Sequence, residues 1–267
     1  MSGLLIEEKQ VVVPGEELAK GMDYLPGFGT YRDNDAIRAC RHGLLSVEGR
    51  ALKIIPLSGR YIPKKYDVVI AKIVDVLMSG WILETNSAYR AMINVKDATS
   101  SFIERGADLS QIFGIGDYVV GKIVNVTSQK LVDISTKAPG MKKLVGGRII
   151  HVNPYKVQRI IGKQGSMVSM IKRATGCKIT VGQNGVIWLS GEPEKEVTAY
   201  QAIRMIEDQA HISGLTDVIK TYLEKICGKG CADLIEEGQD SSNESEFDNE
   251  NEGYHRNKYD NQQNNNR

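Results

Sequence analysis

Short hydrophobic runs, each closed by turn residues, fill the first part of the chain. Residues 1–62 contain the stretches VVVPGEEL, GFGTY and PLSGRYIP, in which glycine and proline punctuate apolar segments of strand length. No segment here repeats its apolar residues with the period of a helix. The pattern predicts a small N-terminal β domain over residues 1–62.

Five strand-like segments with one long interruption lie between residues 63 and 140. The run YDVVIAKIVDVLMSG is followed by WILETNS and AYRAMINV, and then, after an irregular stretch, by DYVVGKIVNV and LVDIST. Five strands interrupted after the third are typical of a small Greek-key barrel of the OB class. The segments AKIVDV and GKIVNV look alike but are too short to count as a repeat.

The hydrophobic period changes in residues 141–232. The strand GRIIHV precedes a short helix, NPYKVQRII, with Pro154 near its first turn, where proline is tolerated. A second helix, SMVSMIKRATG, stops at Gly176. The strands CKITVG and VIWLSG are joined by QNG, a strong hairpin signal, and precede a long helix from Glu192. The buried stripes of the two longer helices are predicted to be Met167, Met170, Ile171 and Ala174, and Ala199, Ala202, Ile203, Ile206 and Ala210.

The end of the chain has two parts. The segment GLTDVIKTYLEKI predicts a last helix that packs onto the preceding domain. Residues 233–267 are predicted to be a disordered tail, because a segment rich in Asn, Asp, Glu and Ser buries too little to offset its ordering entropy. The apolar face of the last helix is predicted to be Leu215, Val218, Ile219, Tyr222, Leu223 and Ile226.

Composition and charge refine this division. The 267 residues are 41% hydrophobic and 25% charged, as in globular domains. The net charge is +1, but residues 238–267 hold seven acids and three bases, so the preceding body carries about +5. A basic body with an acidic tail suits a nucleic-acid binder, although ordinary enzymes share such a balance.

Other chemistry is weakly signalled. Only two of the four cysteines are close, Cys227 and Cys231, and one C-x-x-x-C pair is a poor zinc signal, so free thiols and no metal are expected. The scattered histidines (His42, His151, His211 and His255) form no ligand frame. The acidic N-terminus is unlike a signal peptide, and no apolar run approaches the roughly 18 residues of a membrane span. These features predict a cytoplasmic protein without cofactors.

The stretch RIIGKQGSMVSMIK (residues 159–172) contains the most specific chemistry. Gly162 and Gly165 separate two helices, so the backbone is open to close approach and the second helix presents unpaired N–H groups there. Lys163 adds a full positive charge. The loop suits a nucleic-acid phosphate, whereas the Walker and dinucleotide glycine patterns do not fit.

These residues resemble the KH RNA-binding domain. The run Ile160 to Val168 satisfies the family pattern [IV]-I-G-x-x-G-x-x-[IV], and the order of strands and helices is similar to its type I arrangement. The resemblance implies that Gly162, Lys163, Gln164 and Gly165 contact RNA phosphates. Neighbouring Arg159 and Lys172 either contact RNA or are solvated charges.

The five-strand block resembles the S-one-type RNA-binding domain, an OB fold. In that family, aromatic side chains on the second and third strands stack on bases, which here implies Trp81 and Tyr89. Core packing is the alternative role of Trp81, and Ile82 occupies a position where a second aromatic is common. Cations are available for phosphate contact at Lys72, Arg90 and Lys122.

The whole order, a small β domain followed by the S-one and KH modules, resembles the RNA-binding cap subunit of the archaeal exosome. The resemblance implies a non-catalytic protein in a three-membered cap on a hexameric ring of phosphorolytic subunits. The N-terminal domain would dock onto the ring, with Arg32, Arg38, Arg50 and Arg60 as candidate contacts. The other modules would guide single-stranded RNA, 3′ end first.

Two other classes of protein contain these modules. A phosphorolytic nuclease carries the modules in the opposite order after two large catalytic domains, for which this chain has no residues. A transcription antitermination or translation-type RNA-binding factor combines S-one and KH modules. The antitermination type has two KH modules, whereas this chain has one KH loop.

Overall fold

A computed structural model of the chain describes residues 3–99, 104, 107–210 and 214–227. Contacts divide these residues into two compact units. The first contains residues up to Gln158 together with Thr180–Trp188, and the second contains Arg159–Ile179 and the described residues from Leu189 onward. The predicted tail lies outside the described residues.

The N-terminal segment forms two four-stranded sheets, as the turn-rich pattern predicted. Their orders are β1-β3-β6-β5 and β2-β7-β8-β4. Fully buried Leu18, Ile37, Leu45 and Leu52 belong to one hydrophobic core. The strands are β1 Gly3–Leu4, β2 Val11–Val12, β3 Glu17–Lys20, β4 Leu25–Pro26, β5 Thr30–Asp33, β6 Ala36–Ala39, β7 Gly43–Glu48 and β8 Ala51–Pro56.

The next five strands form the closed OB-like barrel that the sequence predicted. The hydrogen-bonded order is β13-β11-β10-β9-β12, and a β12–β13 pairing closes the ring. Helix α1 (Val95–Ala98) and a 3₁₀ turn (Leu109–Gln111) occupy the interruption after the third strand. The barrel strands are β9 Val68–Leu77, β10 Gly80–Glu84, β11 Arg90–Asn94, β12 Tyr118–Val126 and β13 Val132–Ser135.

The last part of the chain has the predicted strand and helix order. A short strand, β14, pairs with β12, and the three following strands form a sheet of order β15-β17-β16. A 3₁₀ turn (Pro154–Lys156) begins with an Asn153 side chain that accepts a hydrogen bond from the Tyr155 amide. The elements are β14 Lys143–Leu144, β15 Arg148–His151, α2 Val157–Ile161, α3 Ser166–Thr175, β16 Lys178–Val181, β17 Val186–Ser190, α4 Pro193–Asp208 and α5 Leu215–Cys227.

Helices α3, α4 and α5 pack against one another in the second unit. Their buried residues confirm most of the predicted stripes, including Ile171, Ile203 and Ile219. The predicted face of α5 was too wide, because Val218 and Ile226 are exposed. Val218 lies at the edge of the stripe, where a helical pattern does not distinguish the margin of a packed face from its centre. Ile226 lies on the buried face, but in the last turn of α5, beyond the buried Leu223.

The QNG turn does more than join β16 to β17. Asn184 is completely buried, and its Nδ2 donates to the carbonyls of Ile70 (2.8 Å) and Thr85 (2.9 Å) in the barrel segment. Its Oδ1 accepts from the Ile70 amide (3.3 Å), and its own carbonyl accepts from the Asn86 side chain (3.0 Å). This hairpin is therefore bonded directly to the barrel.

Apolar packing reinforces that attachment. Ile70 and Val120 point outward from two neighbouring barrel strands and belong to one buried cluster with Val186 and Trp188. The Trp188 indole N–H donates to the carbonyl of Gly146 (2.8 Å). One part of the barrel exterior is thus a packing surface within the first unit.

Candidate nucleic-acid interface

The loop between α2 and α3 has a backbone that only its glycines permit easily. Gly162 has φ 78° and ψ 176°, and Gly165 has φ 75°. A Cβ on Gly162 would lie 2.7 Å from both the amide nitrogen and the Cβ of Met167, so a side chain there would clash with α3. The first glycine thus lets the chain reverse tightly against the helix that follows.

The two residues between these glycines are turned to solvent. Lys163 and Gln164 are exposed, and Gln164 itself takes a left-handed conformation with φ 52° and ψ 34°. Helix α3 begins at Ser166 without a side-chain cap or an acid in its first turn. A cation next to the positive end of a helix dipole can bind a phosphate group.

The two basic neighbours differ in position. Arg159 is exposed in the last turn of α2, just before the loop. Lys172 is exposed in the last turn of α3, about 9 Å along the helix axis from Ser166. Their roles in RNA binding stay predictions, with Arg159 closer to the loop along the chain.

The barrel carries a cross-strand row with alternating charge. Lys72 on β9 is opposite Glu84 on β10, and Glu84 is opposite Arg90 on β11. All three residues are exposed. On its other side Lys72 faces Tyr118 of β12, with the ammonium 5.9 Å from the ring centroid. Two of the three predicted cations, Lys72 and Arg90, therefore share one row, with a carboxylate between them that the sequence argument did not consider.

Trp81 is not a stacking platform. Its side chain is completely buried in the barrel core, and its indole N–H donates to the carbonyl of Phe113 (2.9 Å). The two rings meet edge to face with centroids 5.2 Å apart. Because the strand alternates between core and surface from Trp81 to Glu84, Trp81 faces inward while its neighbour Ile82 is partly exposed. The prediction that Trp81 stacks on RNA was wrong.

Tyr89 has the accessibility that Trp81 lacks. It precedes β11 and is 39% exposed. Its backbone amide and carbonyl both hydrogen-bond to the Ser87 hydroxyl (3.1 and 2.7 Å), which holds the segment in place. A base contact by Tyr89 stays a prediction.

Lys122 lies next to an aromatic residue that the sequence argument missed. Its ammonium is 5.7 Å from the centroid of the Tyr66 ring, and that of Lys65 is 5.1 Å from the same ring. Tyr66 is 55% exposed and has φ 76°. The available signal was an aromatic residue directly after two lysines, in the stretch PKKYD.

Three of the four arginines considered for docking bond within their own domain. Arg32 donates to the carbonyls of Gly21 and Tyr24, and Arg50 donates to the carbonyl of Asp23. Arg38 pairs with carboxylates and donates to the Gly15 carbonyl. These contacts hold loop carbonyls of the same domain, and they weaken the docking role of the three arginines.

The described part of the chain was also compared with the requirements of a metal site and of a membrane-spanning helix. Within it, no group of three or more His, Cys, Asp or Glu side chains is arranged to hold a metal ion. Cys40 and Cys177 are free thiols. Among the same residues, no helix is both long and apolar enough to cross a membrane.

Comparisons with known proteins agree with this architecture. Residues 147–208 match the family model of the KH domain. The exosome complex component Rrp4 of Methanothermus fervidus is 44% identical over 82% of this chain and 97% of its own length, and that of Pyrococcus horikoshii is 38% identical over 95% and 98%. A crystal structure assigned as an exosome complex RNA-binding protein aligns with a TM-score of 0.56 and 32% identity, covering 62% of this chain and 97% of its own.

The barrel and the glycine loop define the class as a modular nucleic-acid-binding protein with an OB-like barrel followed by a KH domain. Within that class, the family is decided by the sequence identity to relatives that the chain covers over 97% and 98% of their length. The chain belongs to the Rrp4 family of exosome complex components. The alternative, an antitermination or translation-type factor, is not favoured by these relatives.

Proposed function

We propose that this protein is the RNA-binding cap subunit of an archaeal exosome, which recruits single-stranded RNA and guides its 3′ end into a phosphorolytic ring. The observation that carries the proposal is the loop at Gly162–Gly165, which presents an exposed lysine next to the uncapped start of α3. Family membership supplies the complex in which this loop acts.

The subunit itself is proposed to be non-catalytic and cytoplasmic. Degradation would be carried out by the ring subunits, so no catalytic residue is assigned in this chain. The proposed parts are residues 1–62 for docking, 63–140 for the barrel, 141–232 for the KH domain with its last helix, and 233–267 for the tail. Three such cap subunits, identical or related, would sit on one hexameric ring.

A row of exposed apolar side chains supports docking by the N-terminal domain. On the sheet β2-β7-β8, Val11 is opposite Leu44, and Leu44 is opposite Ile55. Val11 and Ile55 are 51% and 55% exposed although they lie on strands. A contiguous outward apolar row is typical of a protein–protein contact rather than of a surface facing only water.

The proposal is tested with the purified subunit. It should bind single-stranded RNA and leave it intact in the presence of phosphate and magnesium, as followed by gel electrophoresis of an end-labelled RNA. Addition of ring subunits should start degradation from the 3′ end. Phosphorolysis by a preparation free of ring subunits would contradict the non-catalytic role.

The partners are tested with the native complex. Mass spectrometry of the assembly recovered with the tagged protein should contain ring subunits in twofold excess over the cap subunits. Recovery of transcription or ribosomal components in their place would instead favour the antitermination or translation-type function.

A further inference from the structure

Two barrel strands have equivalent sequences and equivalent starts. Tyr66–Val76 and Gly116–Val126 align without gaps, with Asp67 matching Asp117 and Lys72 matching Lys122. The strands pair antiparallel, so each one begins beside the middle of the other. The Tyr66 amide donates to the carbonyl of Ile123 and the Gly116 amide to that of Ile73, both at 2.8 Å.

Each strand is entered through the same kind of turn. The Asp67 amide donates to the Lys64 carbonyl (3.3 Å), and the Asp117 amide donates to the Gly114 carbonyl (3.2 Å). The third residue of each turn has a left-handed backbone, with φ 93° at Gly116 and φ 76° at Tyr66. One turn therefore has glycine where the other has a large aromatic residue.

A tyrosine at this position strains the backbone. A left-handed backbone is nearly free for glycine but strained for a residue with a Cβ, and most strongly for a bulky one. Burial does not offset the strain, because the Tyr66 ring is more than half exposed. Strained residues of this kind that persist on a surface often mark a functional site.

The surroundings of the ring indicate its ligand. The ammonium groups of Lys65 and Lys122 lie 5.1 and 5.7 Å from the ring centroid, and Lys64 is also exposed. The nearest acid in sequence, Asp67, accepts a hydrogen bond from the Tyr61 hydroxyl. Both ammonium groups lie over the ring, so a stacked base would displace them toward its own phosphates. An exposed aromatic ring with cations next to it is the combination with which proteins hold single-stranded nucleic acid.

We propose that Tyr66 is a base-stacking platform for single-stranded RNA, with Lys65 and Lys122 on the flanking phosphates. The inference rests on the proposed RNA-binding function and adds a contact to it. Tyr66 would supply on the barrel the stacking that buried Trp81 cannot supply. Since every base has a flat aromatic face, the platform is indifferent to sequence.

The test compares Tyr66→Gly, Tyr66→Asn and Tyr66→Phe with the wild-type protein, all as full chains, in fluorescence-anisotropy titrations with oligouridine. Glycine and asparagine both tolerate the left-handed backbone, so their thermal unfolding midpoints should be close to or above the wild-type value. Their RNA affinity should fall about tenfold or more, as expected for the loss of one stacked base. Tyr66→Phe should bind like the wild type.

Salt dependence separates stacking from phosphate contact. Tyr66→Gly should weaken binding at every salt concentration without changing the slope of log K against log salt, whereas Lys65→Gln or Lys122→Gln should flatten the slope by about 0.7. Tyr31→Ala is the matched control, because Tyr31 is 44% exposed on β5 and should not affect binding. Ultraviolet crosslinking of oligouridine should label the peptide that contains Tyr66.

The outcomes distinguish this inference from the proposed function. Wild-type affinity in both Tyr66→Gly and Tyr66→Asn would overturn the platform and leave the RNA-binding function intact. Failure of the wild-type protein to bind any RNA would overturn both. A loss of affinity that Tyr66→Phe does not restore would also reject stacking, because the phenyl ring retains the aromatic face.

Discussion

At the scale of single residues, two buried side chains with polar groups stabilise the interior. Asn184 is a buried amide whose donor and acceptor groups are all matched by barrel backbone groups. Trp81 is an aromatic residue whose polar N–H is satisfied inside the core. Asparagine is mostly exposed in proteins, but Asn184 is as fully buried here as Trp81.

The Asn184 bonds give a first prediction. Asn184→Ala leaves two carbonyls and one amide of the barrel segment buried without partners, which should lower the free energy of unfolding by about 2–3 kcal/mol. Urea denaturation followed by tryptophan fluorescence measures the change. Gln183→Ala is the control in the same turn, since its side chain bonds to Gln158 at the surface and, among the described residues, to no other partner. It should stay within about 0.5 kcal/mol of the wild type. Equal stability of the two variants would contradict the structural role of Asn184.

The Tyr61–Asp67 pair gives a prediction about pH. Burial raises the pKa of Asp67, while the hydrogen bond from Tyr61 partly opposes it. Burial also raises the pKa of Tyr61, which therefore remains a protonated donor. A raised carboxyl pKa means that the contribution of Asp67 to stability is fully present below its ordinary pKa and is lost as pH rises through the folded-state value.

Tyr61→Phe removes the bond that favours the carboxylate, so the pKa of Asp67 should rise further. The variant should then be less stable than the wild type by about 1–3 kcal/mol at neutral pH, and by less in acid, where Asp67 is neutral in both proteins. Denaturation curves at several pH values measure the difference, and Asp67→Asn should abolish its pH dependence. A deficit that is larger in acid would reverse the assigned sign.

At the scale of elements, the loop between α2 and α3 shows how local geometry shapes the proposed phosphate-binding site. Gly162 permits the close approach to Met167, and Gly165 permits the left-handed step into α3. The helix therefore begins uncapped, with Lys163 and Gln164 outside it. Neither glycine need touch RNA for the loop to depend on both.

Charge reversal in this loop tests its contact with phosphate. Lys163→Asp/Gln164→Asp places carboxylates where phosphates are expected, so the affinity for single-stranded RNA should fall. If the loop holds about four phosphates, the wild-type slope of log K against log salt should be near −3, and it should flatten in the double variant. The control is Thr221→Asp/Lys225→Asp, which changes the charge equally on the exposed side of α5. Unchanged affinity and slope in the loop variant would show that the main contact lies elsewhere.

At the scale of the whole molecule, the chain is built from small modules. Two sheets build the N-terminal domain, a closed barrel follows, and a KH domain completes the described part. The hairpin around Asn184 belongs to the KH sheet yet bonds to the barrel, so these two modules are not independent in that region. The N-terminal domain has its own core and its own exposed apolar row.

Docking through that row is tested by one substitution. Ile55→Asp places a charge at an outward position that is already half exposed, so the domain should remain folded while association with the ring is lost. Tyr31→Asp is the control on the other sheet. Co-purification with ring subunits measures association, and anisotropy with oligouridine should show unchanged RNA binding. Deletion of residues 1–60 should have the same two effects, and ring binding by either protein would contradict the docking role.

The sequence by itself determined the strands, the helices and the glycine loop, because hydrophobic period and turn residues act over a few neighbouring positions. The KH loop and the five-strand barrel were predicted in this way and are confirmed. Only the tertiary structure decided which side chains face inward. The Trp81 side chain lies in the barrel core, and the Asn184 side chain bonds to the barrel backbone. The Tyr66 side chain is exposed and lies next to two lysines.

The physical reason is that burial depends on partners distant along the chain. Asn184 meets Ile70 across 114 positions, and Lys122 meets Tyr66 only because two strands pair antiparallel. A pattern over a few neighbouring residues carries no information about contacts between positions so far apart in the sequence. The KH loop could therefore be recognised from its sequence motif, whereas the exposed position of Tyr66 between two lysines is visible only in the tertiary structure.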